Sequence, residues 1–98
     1  MTYLGIDIGT SGVKALLIDA HGRALGEASA AAVEPVRPHP GWSEQNPADW
    51  WKATLEAIDK LKAAHGNELA KVRGIGLSGH MHGATLLGRS NEVLRPAI

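Results

Sequence analysis

The chain has 98 residues, enough for one small domain with a modest core, and its ten basic and ten acidic side chains cancel, so no global field favours nucleic acid or an anionic membrane. The absence of cysteine excludes disulfides and thiolate metal sites and fits a reducing compartment. No basic, apolar leader opens the chain and no apolar run approaches the roughly 20 residues that span a bilayer, which points to a soluble, cytoplasmic protein.

An apolar strand over residues 3–8 carries one carboxylate, Asp7, and runs into a turn made of Gly9, Thr10, Ser11 and Gly12. A carboxylate in such a buried-looking strand needs a cation or several donors. The two glycines allow backbone N–H groups to gather inside a tight turn, as they do around phosphate oxygens, and the two hydroxyls add donors. Lys14 adds a positive charge nearby. A carboxylate beside a phosphate loop makes sense when a divalent cation stands between them. The plainer reading is a β-hairpin in which Asp7 and Thr10 bond the turn.

The second strand covers residues 13–19, and Asp19-Ala20-His21-Gly22 is a turn signal. A weakly alternating third strand, residues 23–33, completes an antiparallel meander. The Pro-rich connection over residues 34–41 delivers Trp42, Glu44 and Gln45 to a fixed place, either as a bare linker or as a pocket wall with Trp42 as its apolar plate.

Asn46 caps a helix with Pro47 at its first position and Asp49 in its first turn. Trp51, Leu55, Ile58 and Leu61 recur at helical spacing and form the expected core stripe, with Lys52, Glu56 and Lys60 opposite. Gly66 is expected to end the helix in a left-handed conformation. The spelling G-x-G-x-x-G over residues 74–79 is rejected as a dinucleotide fingerprint, because its glycines lie inside an apolar run and no helical pattern follows. Residues 72–77 instead predict a fourth strand, parallel to the first after the helical crossover. It delivers the loop of residues 78–83 towards Asp7 and Gly9, since ligands collect beyond the carboxyl ends of parallel strands. There His82 can bond a hydroxyl and Met81 offers apolar surface; two histidines alone close no metal site. A hairpin over residues 84–94 turns at 88–91, and the last residues read as entering a further strand, so the chain is expected to be the front of something longer.

Taken together, Gly5-x-Asp7-x-Gly9-Thr10-Ser11, His39-Pro40-Gly41-Trp42-Ser43-Glu44-Gln45-x-Pro47 and Met81-His82-Gly83-Ala84-Thr85 stand in the order and spacing found at the front of the FGGY carbohydrate kinases. The chain resembles that family over essentially its whole length, and within it is most similar to the kinases of D-xylulose. The resemblance implies an α/β fold of the ribonuclease H-like, actin-like ATPase class, with three antiparallel strands, a helix and then a parallel strand. It makes residues 1–98 the N-terminal portion of the first of two domains. ATP and Mg2+ are the implied cofactors and D-xylulose the implied acceptor, in a cytoplasmic enzyme that pairs as a homodimer. Asp7 would hold magnesium, directly or through water, with Gly9 to Gly12 against phosphate. Met81 and His82 would contact the sugar. His80 stands where xylulose-specific members commonly carry glutamine, a change of hydrogen-bonding pattern beside the hydroxyls. The family's general base is an aspartate far downstream of residue 98. The alternatives are a kinase of ribulose, gluconate or a polyol, a sugar- or phosphate-binding module without turnover, and an actin-like structural ATPase. Against the last stand His39 to Gln45 and Met81-His82-Gly83, since a polymerising ATPase needs no sugar pocket.

Overall fold

The computed structural model describes residues 1–79 and 83–98. An antiparallel meander of β1 (Thr2–Ile8), β2 (Gly12–Asp19) and β3 (Ala24–Ala31) leads to helix α1 (Pro47–Leu69) and then to β4 (Val72–Ser78). The sheet order is β3-β2-β1-β4, and β4 lies parallel to β1 as the crossover reading expects. Gly74 and Gly76 lie within β4, which removes the dinucleotide reading of their spelling.

Period-two alternation divides the sheet into two unlike faces. Leu4 and Ile6 of β1, Val13, Ala15 and Leu17 of β2 and Ala30 of β3 are buried together with Ala53, Ala57 and Leu61 of α1. The residues between them in β1 and β2, among them Tyr3, Gly5, Asp7, Lys14 and Leu16, lie on the face away from α1. The helix packs on β2 and β3 and less on β1, so Ile75 and Leu77 of the edge strand β4 stay exposed.

The helix corrects two expectations. Trp51 is 64% exposed and Leu55 43%, whereas Ala53, Thr54, Ala57 and Leu61 are buried. The buried stripe is therefore turned by about one residue, roughly 100°, from the one drawn through the large side chains. Alanines at 53 and 57 let the helix approach the sheet closely, and Thr54 is tolerated inside because its hydroxyl donates to the Trp50 carbonyl at 2.7 Å. The second correction concerns Gly66, whose φ is not positive. The break falls on His65 (φ −138°, ψ 43°), after which helical geometry resumes to Leu69. The His65 ring fills the space above Gly26 of β3, where a Cβ would lie 2.4 Å from it. The last turn is also held by Thr2, whose hydroxyl donates to the Glu68 carbonyl at 2.7 Å.

The Pro-rich connection is a small hairpin. Val36 and Glu44 exchange backbone hydrogen bonds of 2.8 Å, and the Trp42 N–H closes a turn onto the His39 carbonyl at 3.0 Å. Pro40 and Gly41 (φ 83°) take the two central positions, which is a type II arrangement. At the other end of the chain, Leu87 faces Val93 across the expected turn, and Ala97 pairs with Gln45. Arg95 forms an ion pair with the nearly buried Glu44, which fixes this hairpin against the Pro-rich one. Among the described residues no helix is long and apolar enough to cross a membrane.

Candidate functional site

Asp7 sits near the end of β1 on the face opposite α1, and that placement overturns its reading as a buried carboxylate. It is exposed, so water solvates its charge and no burial penalty has to be met. Backbone pairing sets Ser78 of β4 on one side of it and Lys14 of β2 on the other, and Lys14 in turn faces Ser29 of β3. The result is a polar row, Ser78–Asp7–Lys14–Ser29, crossing all four strands at one end of the sheet. The Ser78 hydroxyl donates to Asp7 Oδ1 at 2.6 Å. Lys14 Nζ lies 3.3 Å from Glu27 of β3, with both side chains more than half exposed.

Two open hollows meet at Asp7 and Lys14. One, of about 360 Å³, is floored by Gly5 and Gly76, whose missing side chains lower the surface next to the polar row, with Leu16 as its apolar wall. The other, of about 370 Å³, is bounded by Gly9, Ser11, Gly12 and Ser29. Here the turn after β1 closes, its Gly9 N–H donating to the Gly12 carbonyl at 2.8 Å. The Ser11 carbonyl accepts from Ala32 N–H at 3.1 Å and the Thr10 carbonyl from Gln45 Nε2 at 3.3 Å. The turn thus spends its carbonyls inward, and the N–H groups of Thr10 and Ser11 find no acceptor among the described residues. Such amides suit an anion.

Neither glycine of the turn adopts a positive φ. Gly12 is required by proximity instead, since a Cβ there would stand 2.5 Å from the Ala30 carbonyl oxygen. Thr10 is separated from Ser11: it lines a small hollow with Ser43, Gln45 and Trp50 rather than the one at Asp7. Trp42 lies at the tip of its loop, 48% exposed, packed edge-on against His39 with ring centroids 4.5 Å apart, and is not among the residues lining the two hollows at Asp7. Met81, His82 and His80 fall outside the described residues.

Glu44 and Gln45, read as hydrogen-bonding groups of a pocket wall, do line a hollow of about 210 Å³, away from Asp7 and without Trp42, but both are buried and already bonded. Gln45 joins Thr10 and Val33 through its amide nitrogen and accepts from Trp50 Nε1 at 3.3 Å. It braces the turn from behind. Ser78 is the site residue that the motif reading missed. It lies 71 residues from Asp7, and the only signal for it is the parallel crossover that brings the end of β4 beside the end of β1.

Charge decides what this end of the sheet can hold. Asp7 and Lys14 cancel, and Lys14 is already shared with Glu27, so an incoming phosphate gains no net attraction from these side chains. A divalent cation between Asp7 and the phosphate would supply it. Among the described residues no three carboxylates, histidines or cysteines cluster as a closed metal cage. A lone carboxylate with neighbouring hydroxyls is what magnesium accepts when phosphate oxygens and water complete its shell, so the donors present fit that ion.

Known proteins place the chain in a family. Residues 2–98 match the N-terminal domain of the FGGY family of carbohydrate kinases. The xylulose kinase of Klebsiella pneumoniae is 52% identical over 98% of this chain, which covers 19% of that protein. The crystal structure of a xyloylose kinase from Brucella ovis superposes on the whole chain with a TM-score of 0.96 and 57% identity, over 20% of its own length. That of a gluconate kinase from Lactobacillus acidophilus reaches a TM-score of 0.85 at 28% identity over 99% of this chain and 19% of its own. The chain thus spans about a fifth of the length of these relatives, and its four strands and helix are part of the actin-like ATPase fold expected from the motifs. By the match of nearly every residue, the chain belongs to the FGGY family of carbohydrate kinases.

Proposed function

We propose that the chain is the N-terminal portion of the first domain of an ATP-dependent sugar kinase that converts D-xylulose to D-xylulose 5-phosphate. The observation that carries the reading is the meeting of Asp7, the Gly9–Gly12 turn and Lys14 at one end of the sheet, in a chain so similar to xylulose kinases. In this reading the free N–H groups of Thr10 and Ser11 bind phosphate oxygens and the Ser11 hydroxyl adds a donor. Asp7 orients the magnesium–phosphate assembly, and Lys14, tethered to Glu27 in the same hollow, donates a hydrogen bond to a phosphate oxygen while the metal supplies the net charge. Magnesium, when bound, spreads positive charge over the phosphate oxygens. Positioning and charge stabilisation carry most of such a transfer, so a rigid turn braced by Gln45 suits it. Met81 and His82, with His80 and Trp42, are assigned to the sugar. The adenine site and the general base belong to the second domain and the remainder of the longer protein, which we place in the cytoplasm as a homodimer.

The similarity to a gluconate kinase keeps the acceptor a matter for direct measurement. The full-length protein should form ADP from MgATP in a D-xylulose-dependent manner, with kcat/KM for D-xylulose well above those for D-ribulose, gluconate and glycerol. Preference for one of the others would reassign the acceptor, and no sugar-dependent ADP with any of them would remove the kinase reading.

A further inference from the structure

The backbone of Asp7 is held by pairing on both sides, but its side chain is exposed at the end of the sheet. A carboxylate there turns freely about a broad χ2 unless a partner fixes it. Lys14, its cross-strand neighbour, is not that partner, because its ammonium is drawn to Glu27. The group that holds it is the Ser78 hydroxyl, which donates to Asp7 Oδ1 at 2.6 Å. That separation lies in the short range of hydroxyl-to-carboxylate bonds, which are about twice as strong as neutral ones. It occupies one carboxylate oxygen and leaves Oδ2 without a partner among the described residues.

We propose that Ser78 is a positioning residue for Asp7, holding the carboxylate in the one orientation in which its second oxygen faces the magnesium–phosphate assembly. The proposal rests on the reading of Asp7 given above and adds to it the residue on which that reading depends. The bond joins two strands already tied by their own backbone ladder, and Ser78 is exposed, so its loss removes orientation rather than packing. Partners of this kind behind a metal-binding carboxylate are typically worth about 10–100-fold in metal affinity or activity.

The test uses the full-length protein and Mn2+ as the probe, its binding in the presence of ADP followed by electron paramagnetic resonance. Wild type, Ser78→Ala, Ser78→Thr and Asp7→Asn are compared, with kcat, KM for D-xylulose and melting temperature measured alongside. Ser78→Ala is expected to weaken Mn2+ binding about tenfold and to lower kcat about tenfold or more, with the D-xylulose KM and melting temperature unchanged. Ser78→Thr, which keeps the hydroxyl, should restore both. Wild-type Mn2+ affinity in Ser78→Ala, or the same loss in Ser78→Thr as in Ser78→Ala, would overturn the proposal. Failure of the underlying reading looks different: Asp7→Asn would then bind Mn2+ as wild type does, whatever Ser78 contributes.

Discussion

A Cβ on Gly12 would stand 2.5 Å from the Ala30 carbonyl oxygen, a backbone atom of β3 that cannot swing aside as a side-chain tip can. Gly12→Ala must therefore displace either the turn or the first paired residues of β2 and β3. Overpacking of this kind costs about 1–3 kcal/mol, readable as a lower urea midpoint. Gly9→Ala, whose nearest contact is 3.4 Å, is expected to cost distinctly less. Equal effects would mean that the turn, not the β3 contact, sets the requirement. Asp19, in the hairpin at the other end of β2, is a second residue whose role is local. Its carboxylate accepts from the N–H groups of Arg23 and His21 at 2.9 and 2.8 Å, and these bonds, Arg23's foremost, hold its pKa below the ordinary value. A depressed folded pKa contributes stability above the unfolded value, about 3.9, and loses it as pH falls through the lowered folded value. The advantage of wild type over Asp19→Asn should be constant near neutrality and shrink below about pH 4. A difference that stays flat to pH 3 would remove the carboxylate's charge from the account.

At the scale of the element, α1 shows where sequence periodicity succeeds and where it fails. Its start is legible because the cap is local chemistry: Asn46 Oδ1 accepts from Ala48 N–H at 3.1 Å, and Pro47 needs no donor. Its buried face is legible only in part: Ile58 packs against the core as expected, but Trp51 and Leu55 stay outside it, because the sheet selects small side chains that allow close approach. Leu61 is common to both stripes and 1% exposed. Leu61→Ala should cost about 2–5 kcal/mol in the 98-residue chain, and Trp51→Ala within about 0.5 kcal/mol, by denaturant titration. A larger loss at Trp51 would restore the expected stripe. The break at His65 was equally hidden, since it depends on a ring meeting Gly26 from another element. The strands were legible through alternation and turn residues, and with them the order of the sheet. Asp7 and the Gly9–Gly12 turn could be found from spacing, but Ser78 and the bracing Gln45 could not. Their partners lie 71 and 35 residues away and meet only through the topology.

For the whole molecule, the topology gathers residues 7, 14, 29 and 78 at one end of the sheet, and the Pro-rich hairpin is tied to the turn there through Gln45. The chain nevertheless spans only about a fifth of its relatives, and the general base is assigned beyond it. Residues 1–98 alone should give no measurable sugar phosphorylation, because a missing general base by itself typically forfeits about 10²–10⁴ in rate. Turnover that follows the purified chain and vanishes in Asp7→Asn would contradict that assignment.

In the full-length protein the division of labour between the polar row and the residues after β4 has a kinetic signature. Asp7→Asn removes a group assigned to phosphate and magnesium, so kcat should fall strongly while the D-xylulose KM changes little. His82→Ala removes a group assigned to a sugar hydroxyl and leaves that hydroxyl unpaired, at about 1–3 kcal/mol. The middle of that range is slightly more than tenfold in kcat/KM for D-xylulose, at about 1.4 kcal/mol per decade. The KM for ATP should move much less, because the adenine site is assigned to the second domain. His80→Gln should be nearly silent if His80 merely replaces the commoner glutamine, and should shift the preference among sugars if it reads a hydroxyl. Initial rates over a grid of both substrates, with melting temperatures for each variant, separate these outcomes. If His82→Ala weakens sugar and ATP equally, or only lowers the melting temperature, the loop is a structural element and the sugar is read from elsewhere in the protein.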